Sequence, residues 1–182
     1  ALAGCGESEE ERFNKAKEKF DNFTVTIDFN NQGEENIRNQ LEIDGKACKS
    51  TQSNESTTVT YYYKETDGGL YYYVNKINGW EKTPLSSVKE LLSREMTGYV
   101  AYFQEFFYDD FVKQDGYLVM TDSALLGYDK MLGSSMTLSS AKLKLNGSSF
   151  ENAVAVIQEG SLRTQINYEF EKFGSTSVVL PE

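Results

Sequence analysis

At 182 residues the chain is long enough to bury roughly 70% of the surface its unfolded form exposes, as one domain that needs no disulfide scaffold. Its 39% hydrophobic and 25% charged residues, with only two prolines, describe a globular protein, and 12 tyrosines with 11 phenylalanines suit sheets wetted on one side. A net charge of -10 disfavours nucleic acid and anionic lipid headgroups, and the lack of any histidine removes the commonest metal ligand and general base, so no metal or cofactor is expected.

Leu2-Ala3-Gly4 ahead of Cys5 resembles the lipobox of bacterial lipoproteins, a small-residue cleavage site whose following cysteine is acylated. Lipid attachment at Cys5 is preferred over a structural cysteine or a Cys5 to Cys48 bridge, because a polar acidic stretch follows at once. Two or three acyl chains hold a protein stably where one does not, so the expected address is extracytoplasmic and membrane-anchored through acylated Cys5. No apolar run in the sequence approaches the length of a membrane span. Residues 1–8 read as lipobox remnant and tether, and residues 9–182 as a single domain.

Phe13, Ala16, Lys17 and Phe20 fall at helical spacing and predict a first helix over 9–20 that packs on the body. Its acidic start and lysine-rich end complement the helix dipole. Strands follow: Phe23, Val25, Ile27 and Phe29 alternate with polar residues, as do Ile37, Leu41 and Ile43, with a turn over 30–33. Asp44-Gly45 is a second turn or a bulge, and Cys48 beyond it reads as a small apolar strand residue.

Asp67-Gly68-Gly69 marks a hairpin between strands over 58–64 and 70–77. Tyr61-Tyr62-Tyr63 and Tyr71-Tyr72-Tyr73 lie across it from each other, which favours sheet stabilisation over a platform for stacking sugars or bases. Asn78-Gly79 offers a type I′ turn before Trp80.

Residues 83–116 read as the one long helix. Thr83 and Pro84 fit an N-cap with proline at the first helical position, Ser87 and Glu90 fit a capping box, and Lys113 and Gly116 mark the end. Gly98 predicts a kink or break at about 1 kcal/mol relative to alanine. Between Tyr99 and Phe111 the aromatics Tyr102, Phe103, Phe106, Phe107 and Tyr108 exceed one apolar stripe, so this segment must be covered on more than one face.

Beyond it come a short strand over 117–120 and a stretch over 122–132 that fits a brief helix or an irregular loop, with Leu125, Tyr128 and Leu132 on one face. Strands over 136–145, 150–158 and 162–170 and a last one near 178–180 complete the chain. The order reads as α+β: a single antiparallel sheet with its helices packed on one face, whose nine or ten strands would force it to curl.

The Tyr-rich run LYYYVNKINGWEKTPL leading into a helix, the closing run INYEFEKFGSTSVVLP, the lipobox and the N-terminal helix together resemble bacterial lipoproteins of the LolA/LppX-like superfamily. The similarity is one of layout over nearly the whole chain, carried chiefly by residues 79–82 and 173–181. It implies a strongly curved antiparallel half-barrel, with helices on its concave face enclosing an apolar cavity for acyl chains or other hydrophobic ligands, and no enzymatic activity. The soluble carriers of that superfamily lack an anchor, so an acylated Cys5 favours a tethered binding role over shuttling.

No carboxylate, lysine or cysteine constellation points to catalysis. Glu34-Glu35 and Asp109-Asp110 are neighbours that share neither a helix face nor a strand face, and the sequons at Asn22, Asn54 and Asn146 are chance. The leading expectation is therefore a membrane-anchored lipoprotein that binds a lipid-like molecule between helix and sheet, lined by Trp80, Tyr99, Phe103, Phe106 and Phe107. The alternative is a structural or protein-interaction lipoprotein of the cell surface with a filled core, acting through its Tyr-rich sheet surface.

Overall fold

The computed structural model describes residues 6–67, 69–85, 100, 102–132 and 135–182. Helix α1 (Glu9–Lys17) opens on a capping box: Ser8 Oγ accepts from Glu11 N–H at 3.1 Å and Ser8 N–H donates to Glu11 Oε2 at 2.7 Å. This satisfies two of the donors a helix start leaves without partners. The helix stops three residues short of the expected Phe20, whose ring still reaches the core.

Six strands follow as an antiparallel meander: β1 (Asn22–Asn31), β2 (Ile37–Asp44), β3 (Ala47–Ser53), β4 (Thr58–Thr66), β5 (Gly69–Lys76) and β6 (Gly79–Leu85). Later come α2 (Tyr102–Glu105), a 3-10 turn (Tyr108–Asp110), β7 (Phe111–Gln114), β8 (Tyr117–Met120) and α3 (Asp122–Leu132). A second meander is completed by β9 (Met136–Asn146), β10 (Ser149–Glu159) and β11 (Leu162–Glu171). Because β11 pairs with β1, the two meanders fuse into one 11-stranded sheet ordered β6-β5-β4-β3-β2-β1-β11-β10-β9-β8-β7. Among the described residues, β6 and β7 follow one another in sequence yet form the opposite edges of an open sheet.

The core lies on the face that carries α1. Phe23, Val25 and Ile27 of β1, Leu41 and Ile43 of β2, and Ile166, Tyr168 and Phe170 of β11 are buried there with Phe13, Ala16 and Phe20. Cys48, buried in β3, sits in register between Ile43 and Tyr63. Phe20 meets Phe23, Phe103, Phe150, Phe170 and Phe173 at 5.0–6.2 Å between ring centroids. Each well-oriented aromatic pair adds about 0.5–1.5 kcal/mol beyond its area burial. Period 2 then sends Tyr61, Tyr63 and Tyr72 to the α1 face and Tyr62, Tyr71 and Tyr73 to the opposite, outer face.

Several expectations are corrected. The fold is mainly β rather than α+β: eleven strands replace nine or ten, the sheet is open, and the helices among the described residues are few and short, so they do not close a half-barrel. The long helix over 83–116 is wrong at both ends, while its middle, including Ser87, Glu90, Gly98 and Tyr99, lies outside the described residues. At its start, Thr83 and Pro84 pair with Tyr72 and Tyr71 in edge strand β6. Proline is tolerated on an edge, and it holds the preceding residue extended.

At its end, Asp115 (φ 52°) and Gly116 (φ 81°) form the two-residue turn of the β7–β8 hairpin, where both central residues need positive φ. The stretch at 122–132 is helical, with Thr121 Oγ1 accepting from Ala124 N–H at 3.4 Å at its start. Asp44-Gly45 resolves as a turn between β2 and β3. The strand expected near 178–180 does not form. Instead Asn22 and Asp44 hold this tail by side-chain bonds to the backbone of Thr176 and Val178.

Candidate functional site

The five residues expected to line one cavity fall into three different settings. Tyr99 lies outside the described residues, as does the lipid-attachment residue Cys5. Phe103 is only 4% exposed and touches the rings of Phe20, Phe106, Phe150, Tyr168 and Phe170, with centroids 5.0–6.2 Å apart. Phe106 is equally internal, edge-on to Phe111 at 5.7 Å and to Tyr128 at 5.1 Å. These two rings are packed core, filled by their neighbours.

Phe107, one residue on, is 67% exposed, with the Lys17 ammonium 5.3 Å from its ring centroid. The chain turns extended there (φ -104°, ψ 141°) before the 3-10 turn, so Phe106 and Phe107 point to different environments. A continuous helix would have kept both near one side, which is why the sequence grouped them. Trp80, in β6, stands apart from all of them: it pairs with Asn75 of β5 and shares the outer face with Tyr73 and Lys82. The structure therefore brings Phe103 and Phe106 together and leaves Trp80 and Phe107 elsewhere.

Trp80 belongs instead to the Tyr-rich sheet surface that the alternative sequence reading named, without assigning Trp80 or the lysines to it. Across the outer face of β3–β6, the register sets Lys49 beside Tyr62, Tyr62 beside Tyr73 and Tyr73 beside Lys82 in one row. The next row holds Lys64, Tyr71 and Pro84. Trp80 is edge-on to Tyr62 at 5.2 Å, Lys82 Nζ lies 4.2 Å from the Tyr71 centroid, and Lys49 Nζ lies 5.8 Å from that of Tyr62. Each exposed cation–π pair is worth about 0.5–1 kcal/mol, a bias of the lysines toward the rings. Tyr62, Tyr71, Tyr73 and Trp80 stay half-buried and, among the described residues, no second layer of core packs against them.

Charge on this surface is one-sided. Lys49 is tied to Glu42 of β2 at 3.5 Å, whereas no carboxylate among the described residues lies within ion-pair distance of Lys64 or Lys82. Lys76, at the tip of the β5–β6 hairpin, is committed to Glu81 at 2.6 Å, whose hydrogen bond holds the ammonium pKa above its usual value. The signal in the sequence was the alternation of Lys64, Tyr62, Tyr71, Tyr73, Trp80 and Lys82, which assigns them to one face once the strands are paired.

One carboxylate of each adjacent pair, Asp110 and Glu35, is engaged structurally. Asp110 accepts from Tyr128 Oη at 2.7 Å, and burial first, then this bond, pushes the Tyr128 phenol up. Glu35 accepts from Glu55 N–H at 2.8 Å. Among the described residues no three His, Cys, Asp or Glu side chains gather where they could hold a metal ion, and no helix is long and apolar enough to cross a membrane. No protein-family model matches the chain, and no curated protein matches it.

Proposed function

We propose that this chain is a membrane-tethered, extracytoplasmic lipoprotein that works as a protein-interaction module through the outer face of β3–β6. One observation carries the reading: Tyr62, Tyr71, Tyr73 and Trp80 form a contiguous aromatic surface on the side of the sheet away from the core, while Phe103 and Phe106 are consumed in packing. Tyrosine and tryptophan are the residue types that most often anchor protein interfaces. The tether rests on the lipobox at Cys5 and on the resemblance to LolA/LppX-like lipoproteins, which contribute the location and no part of the surface argument.

The test is site-specific crosslinking in the native host. A photoreactive amino acid at Tyr73 should trap a discrete protein, and the same probe at Gln165, on the outer face of β11, should not. Equal trapping at both positions, or none at Tyr73, defeats the reading. Mass spectrometry of the membrane-fraction protein checks the anchor separately, since an unmodified Cys5 removes the location.

A second reading, binding of a hydrophobic ligand on the α1 face, keeps support from one observation. Ile37 and Val59 occupy positions on that face yet remain 44% and 38% exposed, with Phe29 beside Ile37 in register. Native mass spectrometry of protein from its own host should then find a bound lipid that Ile37→Asp displaces. Lipid-free protein counts against it.

A further inference from the structure

We propose that the surface formed by Tyr62, Tyr71, Tyr73, Trp80, Lys64 and Lys82 binds a short acidic segment of a protein partner. The proposal rests on the reading of this face as a protein-interaction surface and adds the chemistry of what it meets. At the outward positions of β3–β6 there is no aspartate or glutamate, although the chain as a whole carries -10. The same positions carry Lys49, Lys64 and Lys82. A cationic island within an acidic protein attracts an anion locally, because screening confines the opposing field to about 8 Å at physiological salt.

The aromatic rings argue against a stacking ligand. Lys82 lies over the Tyr71 ring at 4.2 Å and Lys49 approaches the Tyr62 ring at 5.8 Å, while the edge contact with Trp80 takes another side of Tyr62. A sugar or a base needs an open ring face; over Tyr71 and Tyr62 an ammonium group stands there instead. The rings place those ammonium groups over the sheet surface, where a carboxylate can reach them.

The surroundings limit the size of the anion. Beyond β3 the outward positions carry Asp28 of β1 paired with Arg38, Glu42 of β2 paired with Lys49, Asp44 bonded to Asn22 and to the Val178 N–H, and, on β11, Glu169 and Glu171 with Arg163 at the far end. A bilayer surface or a stiff polyanion laid over the whole outer face would meet these carboxylates as well as the lysines. The four strands β3–β6 span three inter-strand spacings, about 14 Å. An extended peptide of four or five residues, at about 3.4 Å each, covers that width. A short run of Asp or Glu in a partner's loop fits, and a long polyanion does not.

The full chain, labelled with nitrogen-15, should be titrated with the peptide EEDFEED and with its neutral counterpart QQNFQQN, following the Trp80 indole N–H and the backbone amides of β3–β6. The acidic peptide should shift these signals saturably, its Kd should rise at least tenfold between 50 and 300 mM salt, and the neutral peptide should leave them unmoved. Lys64→Gln with Lys82→Gln should weaken binding at least fivefold at unchanged thermal midpoint. Equal binding of both peptides, no binding of either, or stronger binding of phosphatidylglycerol vesicles or polygalacturonate through the same amides overturns the proposal. The Tyr73 crosslink separates the two claims: if it survives the double lysine substitution, the acidic partner is wrong and the interaction surface stands, whereas if it never forms, both fall.

Discussion

Asn22 and Thr176 are bonded twice across 154 residues of sequence: Asn22 Nδ2 donates to the Thr176 carbonyl at 2.9 Å, and Asn22 Oδ1 accepts from Thr176 N–H at 2.8 Å. Asn22 Nδ2 also reaches Asp44 Oδ1 at 3.1 Å, and the buried hydroxyls of Thr24 and Thr176 meet at 3.0 Å. One side chain thus fastens the C-terminal tail to the start of β1 and the end of β2. Asn22→Ala leaves the Thr176 N–H and carbonyl without their partners, which costs about 1–3 kcal/mol. Urea unfolding should show a lower midpoint, and proteolysis should release residues beyond Lys172 first. An unchanged midpoint with an uncut tail would refute the clasp.

The aromatic segment makes a contrast within five residues. Phe103→Ala removes a ring surrounded by five others and should cost about 3–5 kcal/mol, whereas Phe107→Ala, at a largely exposed site, should stay within about 0.5 kcal/mol. Chemical denaturation of the two variants side by side reads the difference. Similar losses from both would mean that Phe107 belongs to a core or a site that its exposure hides.

The legible part of this fold was its period-2 alternation. Phe23 to Phe29 and Thr164 to Phe170 alternate without interruption, and the register matches them: Val25 stands opposite Phe170 and Ile27 opposite Tyr168. What failed was local cap chemistry set against pairing. Thr83-Pro84 satisfies the rules for a helix start, but the β5–β6 hairpin, which turns at Ile77-Asn78 rather than at the expected Asn78-Gly79, supplies β5 as a template, and the strand continues through the proline to the sheet edge. Lys113 and Gly116 read as the end of a helix, whereas Asp115-Gly116 is a strong hairpin signal. The candidate site went astray for a related reason: Trp80, Phe103 and Phe107 are near one another in sequence, yet only strand pairing decides that Trp80 faces outward and only the break at Phe107 turns that ring to solvent.

Gly79, the first residue of β6 directly after the Ile77-Asn78 turn, has φ 109°, with no heavy atom within 4 Å of where a Cβ would sit. The cost of Gly79→Ala is therefore conformational rather than steric, about 1–3 kcal/mol. It should fall on the hairpin that carries Trp80. As Trp80 is the only tryptophan, its emission reports the contact with Tyr62 directly, and the variant should show red-shifted Trp80 fluorescence at temperatures where far-ultraviolet circular dichroism is still native. Coincident loss of both signals would make the hairpin part of one cooperative unit.

The acid and alkaline limits of stability should be set at separable points on the helix side. Glu9 accepts from Lys113 Nζ at 2.9 Å and from Tyr108 Oη at 3.0 Å. The Lys113 bond, working against partial desolvation and helped by Tyr108, holds its carboxyl below the usual 4.5. A depressed folded pKa means that the unfolded chain binds the proton more readily, so this stabilisation is complete above the unfolded value and is lost as pH falls through the folded one. Glu9→Gln should be less stable than wild type at pH 7 and should lose less on going from pH 6 to pH 3. Tyr128 has the opposite sign: burial, then its bond to Asp110, raises the phenol above its usual 10, so its contribution is whole below pH 10 and declines at higher pH. Tyr128→Phe should flatten the alkaline limb and leave the acid limb unchanged. Thermal midpoints measured from pH 3 to pH 11 resolve the two, and an acid limb unaltered by Glu9→Gln would show that Lys113 and Tyr108 do not stabilise the ionised form of Glu9.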